Sequence, residues 1–319
     1  MILIGLTIKK VDNISPAPGS LVRLKQTGLL YEIRYKIRPS KPHIQKLDGE
    51  NYIFLETGEI RQFEKDAISR ADNLSTVAQS LSRLRDIINT NTMEPHKCRW
   101  ATFTYKCNQT DEKRLYEDFR RFWQRFRYYL QKNQYPNCEY IAAAEPQGRG
   151  SWHLHVIFVF QRKAPFIPND ELAGIWGHGF TKIRRLDDTT NAGLYLTAYL
   201  GDMTLEESVA NEHIIGRNRL KVVDGIDERG QKQRKAIVKG ARMTLYPAGF
   251  RIYRTSRGIK KPIITECTEV EAQSQIGNAK LVYEKTIQIM DEQGAGINII
   301  NYRQYNKANA RKAMIVDSN

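Results

Sequence analysis

Four residues near the middle of the chain have the types and spacing of a cation site. His153 and His155 flank Leu154, and Glu145 and Gln147 precede them across a glycine turn. Side chains two apart on a strand share a face, so the run Trp152-His153-Leu154-His155-Val156 aligns two imidazoles while Leu154 points into a core. If Gln147 pairs with Ser151 across a three-residue Gly148-Arg149-Gly150 turn, Glu145 falls opposite His153 on that same face. Two imidazoles and a carboxylate make a donor set for a divalent metal, with Gln147 as the other candidate for the third ligand. A lone His-x-His is more often a pair of half-buried strand residues. Here two of only six histidines alternate, after a carboxylate and ahead of a long apolar strand, and the balance moves towards ligands.

Further along, Asn191-Ala-Gly-Leu-Tyr195-Leu-Thr-Ala-Tyr199-Leu-Gly-Asp202 spaces two tyrosines one helical turn apart. Alone, the pair reads as two amphipathic core residues. Beside a cation site it offers hydroxyl nucleophiles. Two other His-x-His sites fail locally. Metallo-β-lactamase-like hydrolases continue with Asp-His where Ile157 and Phe158 stand, and cupins require a glutamate four or five residues on, where Val159 and Phe160 stand.

The positioning elements follow from periodicity. Arg99-Trp-Ala-Thr-Phe-Thr-Tyr reads as a strand, and Glu139-Tyr-Ile-Ala-Ala-Ala-Glu with Trp152-His-Leu-His-Val-Ile-Phe-Val-Phe as an antiparallel hairpin. Leu74, Val77, Leu81, Leu84 and Ile88 predict a helix over 73–88. Thr110 is the expected cap of another, with Asp111 and Glu112 in its first turn. Leu115, Phe119, Phe122, Trp123, Phe126 and Leu130 form its buried stripe, and Arg120, Arg121, Arg125 and Arg127 its solvated flank. A short helix near 169–176, a strand at 180–185 and a helix from about 190 to 200 complete an α+β unit. Residues 1–70, including an opening strand over 1–8, read as a β-rich N-terminal module; 71–212 form the catalytic unit, and 213–319 a basic region with a C-terminal extension.

A content of 41% hydrophobic residues indicates a folded chain rather than a disordered one. Lys and Arg outnumber Asp and Glu by 50 to 35, and residues 213–261 hold 14 of the basic residues against Asp224, Asp227 and Glu228. Such a balance favours a polyanionic partner, because neutralising phosphates releases counterions. No apolar run approaches the roughly 20 residues that span a bilayer. The opening segment lacks the pattern of a secretory signal, so a cytoplasmic protein is expected. Cys98, Cys107, Cys138 and Cys267 are dispersed without a CxxC pair, so neither a zinc ribbon nor a disulfide framework is suggested and they read as reduced structural thiols. Neither an internal repeat nor a low-complexity tract stands out.

Together these segments resemble the HUH endonucleases, and within them the rolling-circle replication initiators of phages and plasmids, including the filamentous-phage gene II type. Trp100-Ala-Thr-Phe-Thr-Tyr-Lys is similar to the family's first strand motif, Glu145 to His155 to its metal motif, and Tyr195 to Asp202 to its tyrosine motif. The tyrosines follow the histidines, as in initiators; conjugative relaxases have the reverse order. The resemblance covers about residues 72–261, where Trp176-Gly-His-Gly-Phe-Thr-Lys and Ser256-Arg-Gly-Ile-Lys-Lys-Pro look like the gene-II-type subgroup.

The resemblance implies a central antiparallel sheet flanked by helices and a metal-dependent DNA nickase. His153, His155 and Glu145 would hold Mg2+ or Mn2+, Tyr199 would be the main nucleophile, and Tyr195 would have a secondary role. It implies DNA as partner and, through replication, a host helicase and polymerase. Lys182, Arg184, Arg217, Arg219, Arg254, Lys260 and Lys261 are the expected phosphate contacts, with Tyr246, Phe250 and Tyr253 either stacking on unpaired bases or lying in the core. One departure stands out: many relatives have a lysine three residues after the tyrosine, where this chain has Asp202. The competing readings are a single-strand transposase or mobilisation relaxase of the same superfamily, and a noncatalytic origin-binding protein.

Overall fold

The computed structural model describes residues 7–39, 44–63, 67–186, 192–204, 220–226, 232–291 and 293–308. The fold is α+β, and contacts divide the chain into two units: Met1–Asp66 with Pro262–Asn319, and Ala67–Lys261.

In the first unit, strands β1 (Thr7–Val11), β2 (Leu21–Thr27) and β3 (Leu30–Lys36) interleave with β15 (Ile263–Thr268), β16 (Lys280–Met290) and β17 (Gly296–Asn306). They form one antiparallel sheet in the order β1-β16-β17-β3-β2-β15. Helix α5 (Glu269–Ile276) packs on it through Ala272 and Ile276, which join Val22, Leu24 and Ile33 in a small core. The buried Arg303 ties the helix to β17 with a two-pronged ion pair to Glu269, its Nη1 and Nη2 lying 2.7 and 2.6 Å from the two carboxylate oxygens. Strands β4 (Ile44–Lys46), β5 (Asn51–Phe54) and β6 (Ile60–Gln62) make a separate small sheet. The division expected at residues 70 and 212 therefore differs from the division by contacts, because alternation identifies strands but not their distant partners. Residues 1–6 of the expected opening strand lie outside the described residues, and β1 begins at Thr7.

The second unit is built on a sheet ordered β10-β7-β9-β8-β14. Its strands are β7 (Cys98–Thr104), β8 (Cys138–Pro146), β9 (Trp152–Phe160), β10 (Thr181–Arg185) and β14 (Tyr253–Thr255), and every neighbouring pair is antiparallel. Its helices are α1 (Leu74–Asn91), α2 (Glu112–Lys132), α3 (Asn169–Trp176) and α4 (Ala192–Gly201). The stripe expected on α2 is buried except at Trp123, which is half-buried, and Phe122 and Phe126 pack on Phe103 and Phe158 of the sheet. Phe158 shares its strand face with Leu154 and Val156, so α2 covers that face and the histidines take the other.

The cap of α2 is Asp111 rather than Thr110. The Asp111 carboxylate accepts from the amides of Lys113 and Arg114, while the Thr110 carbonyl accepts from the Trp152 indole. Arg120, Arg121, Arg125 and Arg127 form the exposed flank expected of them, and from it Arg125 also donates to the last carbonyls of α3, Ile175 and Trp176. Beyond the tyrosine helix, β11 (Met203–Thr204), β12 (Leu220–Ile226) and β13 (Lys232–Val238) form a three-stranded sheet. All four cysteines are unpaired. Among the described residues no helix is long and apolar enough to cross a membrane.

Candidate metal and tyrosine site

The hairpin register is the one that the glycine turn suggests. Gln147 N donates to Ser151 O at 2.8 Å, Gly150 takes the left-handed conformation with φ 82°, and Glu145 stands directly opposite His153. The Glu145 carboxylate leans diagonally across the pair and contacts His155 Nε2 through Oε2. On its other side His155 Nδ1 lies 3.5 Å from Thr102 Oγ1, the residue opposite it on β7.

Both His155 and Glu145 are buried. Burial pushes the Glu145 carboxyl upward, but the His155 hydrogen bond and the charges of His155 and Arg242 outweigh it, and the net shift is downward. His153 differs. Its Nε2 is buried without a partner, and desolvation pushes its pKa down to about 4, leaving a neutral imidazole with an unused nitrogen. Gln147 Oε1 is orphaned in the same way. Buried polar atoms are normally satisfied, so two orphans on one face suit an additional ligand. Among the described residues, however, no group of three or more His, Cys, Asp or Glu side chains is arranged to hold a metal ion. Glu145 and His155 engage each other instead.

Arg242 is the contributor that sequence reading did not single out. It sits in a tight turn over Ala241–Leu245 that follows left-handed Gly240, and it is 4% exposed. Its Nη1 is 3.0 Å from Glu145 Oε1 and donates to Pro146 O at 2.8 Å, while Nε donates to Asp202 O at 3.1 Å. Asp202 Oδ1 in turn accepts from Gly240 N at 3.0 Å. The aspartate that departs from the lysine pattern thus anchors the turn that delivers a guanidinium to Glu145. One basic residue among 14 in its segment carried no local mark; its apolar neighbours Ala241 and Met243, both buried, were the available signal.

Helix α4 places positions 195 and 199 one turn apart; the side chains of Tyr195 and Tyr199 lie outside the described part of the chain. The helix buries Leu196, Thr197 and Leu200 and lies against α1 and β8. Its end is fixed by the buried Tyr246, whose hydroxyl reaches Ala144 O at 2.8 Å and Leu200 O at 3.2 Å.

Lys182 and Arg184 lie exposed on the edge strand β10. Lys182 pairs with Thr102, and Thr102 with His155, so all three share the histidine face. Arg184 stacks over Trp100 at 5.4 Å. Arg254 is on the opposite face, over the Tyr116 ring of α2. Lys260 and Lys261 are exposed, with the Lys260 backbone bonded to the Asn91 side chain, and Arg217 and Arg219 lie outside the described residues. Of the aromatic candidates, Tyr246 and Phe250 are core residues, so they do not present faces to bases, and Tyr253 is half-buried. The Trp176-Gly-His-Gly run is a strap across the end of β7. His178 O accepts from Lys106 N, and a Cβ at Gly179 would strike the Thr104 carbonyl and Lys106 amide. The Ser256-Arg-Gly run docks on the start of β8, where Ser256 Oγ accepts from Tyr140 N and Gly258 N donates to Glu139.

No curated protein and no solved structure matches the chain. Residues 98–204, which hold the histidine strand, Glu145 and the tyrosine helix, match the family model of replication-associated proteins of the ORF2 and gene II protein type, consistent with a gene II-type rolling-circle replication protein.

Proposed function

We propose that this chain is a rolling-circle replication initiator, a site-specific nickase that cuts one DNA strand and stays joined to its 5' end. The observation that carries the reading is a convergence: Arg242 joins the carboxylate beside the histidines to the carbonyl of Asp202 at the end of the tyrosine helix, and the elements it joins lie in the segment that matches a replication-associated family.

In this mechanism Tyr199 provides the nucleophile. Its hydroxyl gives up its proton as the oxygen attacks phosphorus in line, the bond from phosphorus to the 3' oxygen breaks, and that oxygen takes up a proton and leaves as a free 3'-hydroxyl. The 5'-phosphotyrosine keeps the phosphodiester energy, so a later attack by a hydroxyl rejoins DNA without ATP. His153, His155 and Glu145 would hold Mg2+ or Mn2+, with Gln147 as the alternative to the carboxylate; the unused nitrogen of a neutral His153 supports this set. When bound, such an ion supplies polarisation of a nonbridging phosphate oxygen. Arg242 holds Glu145 in position, Thr102 orients His155, and Lys182 and Arg184 offer charge to the DNA backbone at the open edge of the sheet.

A second reading, a noncatalytic origin-binding protein, draws support from the Glu145 carboxylate already being taken up by His155 and Arg242. Incubation with labelled single-stranded origin DNA and Mn2+ separates the two. The nickase gives a labelled band that survives SDS, requires the metal and disappears with EDTA. Specific binding with no cut strand at any Mn2+ concentration would favour the noncatalytic reading.

A further inference from the structure

The sheet of the first unit has a second face, turned away from α5, and its side chains follow from the register. Across four strands Arg23 stands opposite Arg34, Arg34 opposite Tyr302, and Tyr302 opposite Lys285. The next row on the same face runs Lys36, Ile300, Ile287, Lys10. Opposed residues share a face, and Val22, Leu24 and Ile33, which alternate with these positions, point to α5. At a strand spacing of about 4.8 Å the first row extends roughly 14 Å from Arg23 to Lys285.

Cations outnumber carboxylates on this face, where Glu32 and Glu266 stand against Arg23, Lys25, Arg34, Lys36, Lys285 and Lys10. Lys25 is paired with Glu32 at 3.0 Å, but Arg23 and Arg34 have no carboxylate partner among the described residues; Glu266, which continues the first row on β15, forms no ion pair with Arg23. Like charges directly opposite each other weaken a sheet, so this pair works against the fold that carries it. The Lys36 ammonium responds to the same field: burial, then Arg34 and Arg23, push its pKa downward. All six cations and Tyr302 are at least partly exposed. A row of cations with a tyrosine ring inside it matches the requirements of a single nucleic-acid strand, namely charge for phosphates and a ring for a base.

We propose that this sheet face is a second DNA-binding surface, outside the segment matched by the replication family, and that it holds single-stranded DNA through Arg23, Arg34, Lys36 and Lys285 with Tyr302 as a stacking platform. The inference rests on a DNA-handling role but not on nicking. Its test uses uncut DNA and EDTA, so that failure of one does not decide the other.

The experiment compares full-length protein with the double variant Arg23→Gln, Arg34→Gln by fluorescence anisotropy on a long single strand over a range of salt. Losing two phosphate contacts should weaken binding roughly tenfold at low salt and reduce the logarithmic salt slope by about 1.4. The melting temperature should hold or rise, since a repulsive pair is removed, and this separates lost contact from lost folding. Tyr302→Leu should weaken single-strand binding severalfold while Tyr302→Phe, which keeps the ring, should not. An unchanged slope and affinity in the folded double variant would overturn the proposal. So would intact DNA binding accompanied by lost binding to phosphatidylserine vesicles, which would give the face to a membrane surface.

Discussion

His153 and His155 share a strand face but not a chemical situation, and the difference can be measured. His155 is held by Glu145 and Thr102, whereas His153 keeps a buried nitrogen without a partner. An orphaned buried polar group costs about 1–3 kcal/mol, so in His153→Ala the relief of that cost should largely offset the lost packing. Urea melts should therefore show little change while nicking is abolished. His155→Ala should lose nicking as well but destabilise by about 1–3 kcal/mol, because it strips a partner from Glu145. Equal destabilisation by both variants would contradict the assigned environments. Arg242→Met leaves the buried carboxylate short of its cation and should cost about 3–5 kcal/mol, with a weaker Mn2+ titration in whatever protein remains folded. The register that sets Glu145 against His153 was legible because a glycine turn and strict alternation permit few pairings. Arg242 was not legible, because it reaches Glu145 across 97 positions of chain and nothing in its neighbourhood names the partner.

Helix α4 shows what periodicity can and cannot supply. Its extent and the one-turn spacing of Tyr195 and Tyr199 could be read from the sequence, but its seating could not. Gly193 is packed so closely on α1 that an added Cβ would lie 2.6 Å from the Arg85 carbonyl oxygen, and its amide donates to Asn89 Oδ1 at 3.2 Å. Helix propensity favours Gly193→Ala by about 1 kcal/mol. Overpacking against backbone, which cannot swing aside, costs about 1–3 kcal/mol, so the steric effect should win. The expected outcome is a destabilised protein whose nicking rate falls with little change in DNA affinity, since the helix proposed to carry the nucleophile must shift. A variant as stable and as active as the parent would mean that α1 and α4 separate more readily than their contact implies. The cap of α2 shows a second kind of limit: Thr110 and Asp111 are both good cap residues, and only the extended backbone of Asp111 decides between them.

For the molecule as a whole, the hardest feature to read was which distant strands pair. The N-terminal stretch is β-rich as its alternation suggests, yet its sheet is completed by residues from the other end of the chain. The link between α5 and β17 should be correspondingly sensitive. Glu269→Ala leaves a buried guanidinium at Arg303 and should cost about 3–5 kcal/mol, seen as a lower melting temperature, whereas a paired Glu269→Leu, Arg303→Met replacement should recover much of the loss. Failure of the paired change to improve on the single one would show that the ion pair fixes geometry that apolar packing cannot. The strongly basic segment before residue 262 and the cationic sheet face both fit a chain that handles DNA through more than one surface.

The central claim is a covalent one, a phosphorus bonded to one tyrosine oxygen of α4. Mass spectrometry of the peptide that remains attached to DNA after cleavage in Mn2+ tests it most directly. The account predicts a 5'-linked nucleotide on Tyr199, lost in Tyr199→Phe while DNA binding persists, with the first adduct still formed by Tyr195→Phe. A nucleotide carried by Tyr195 alone would reverse the assignment, and cleaved DNA with no adduct on either residue would remove the helix from the reaction.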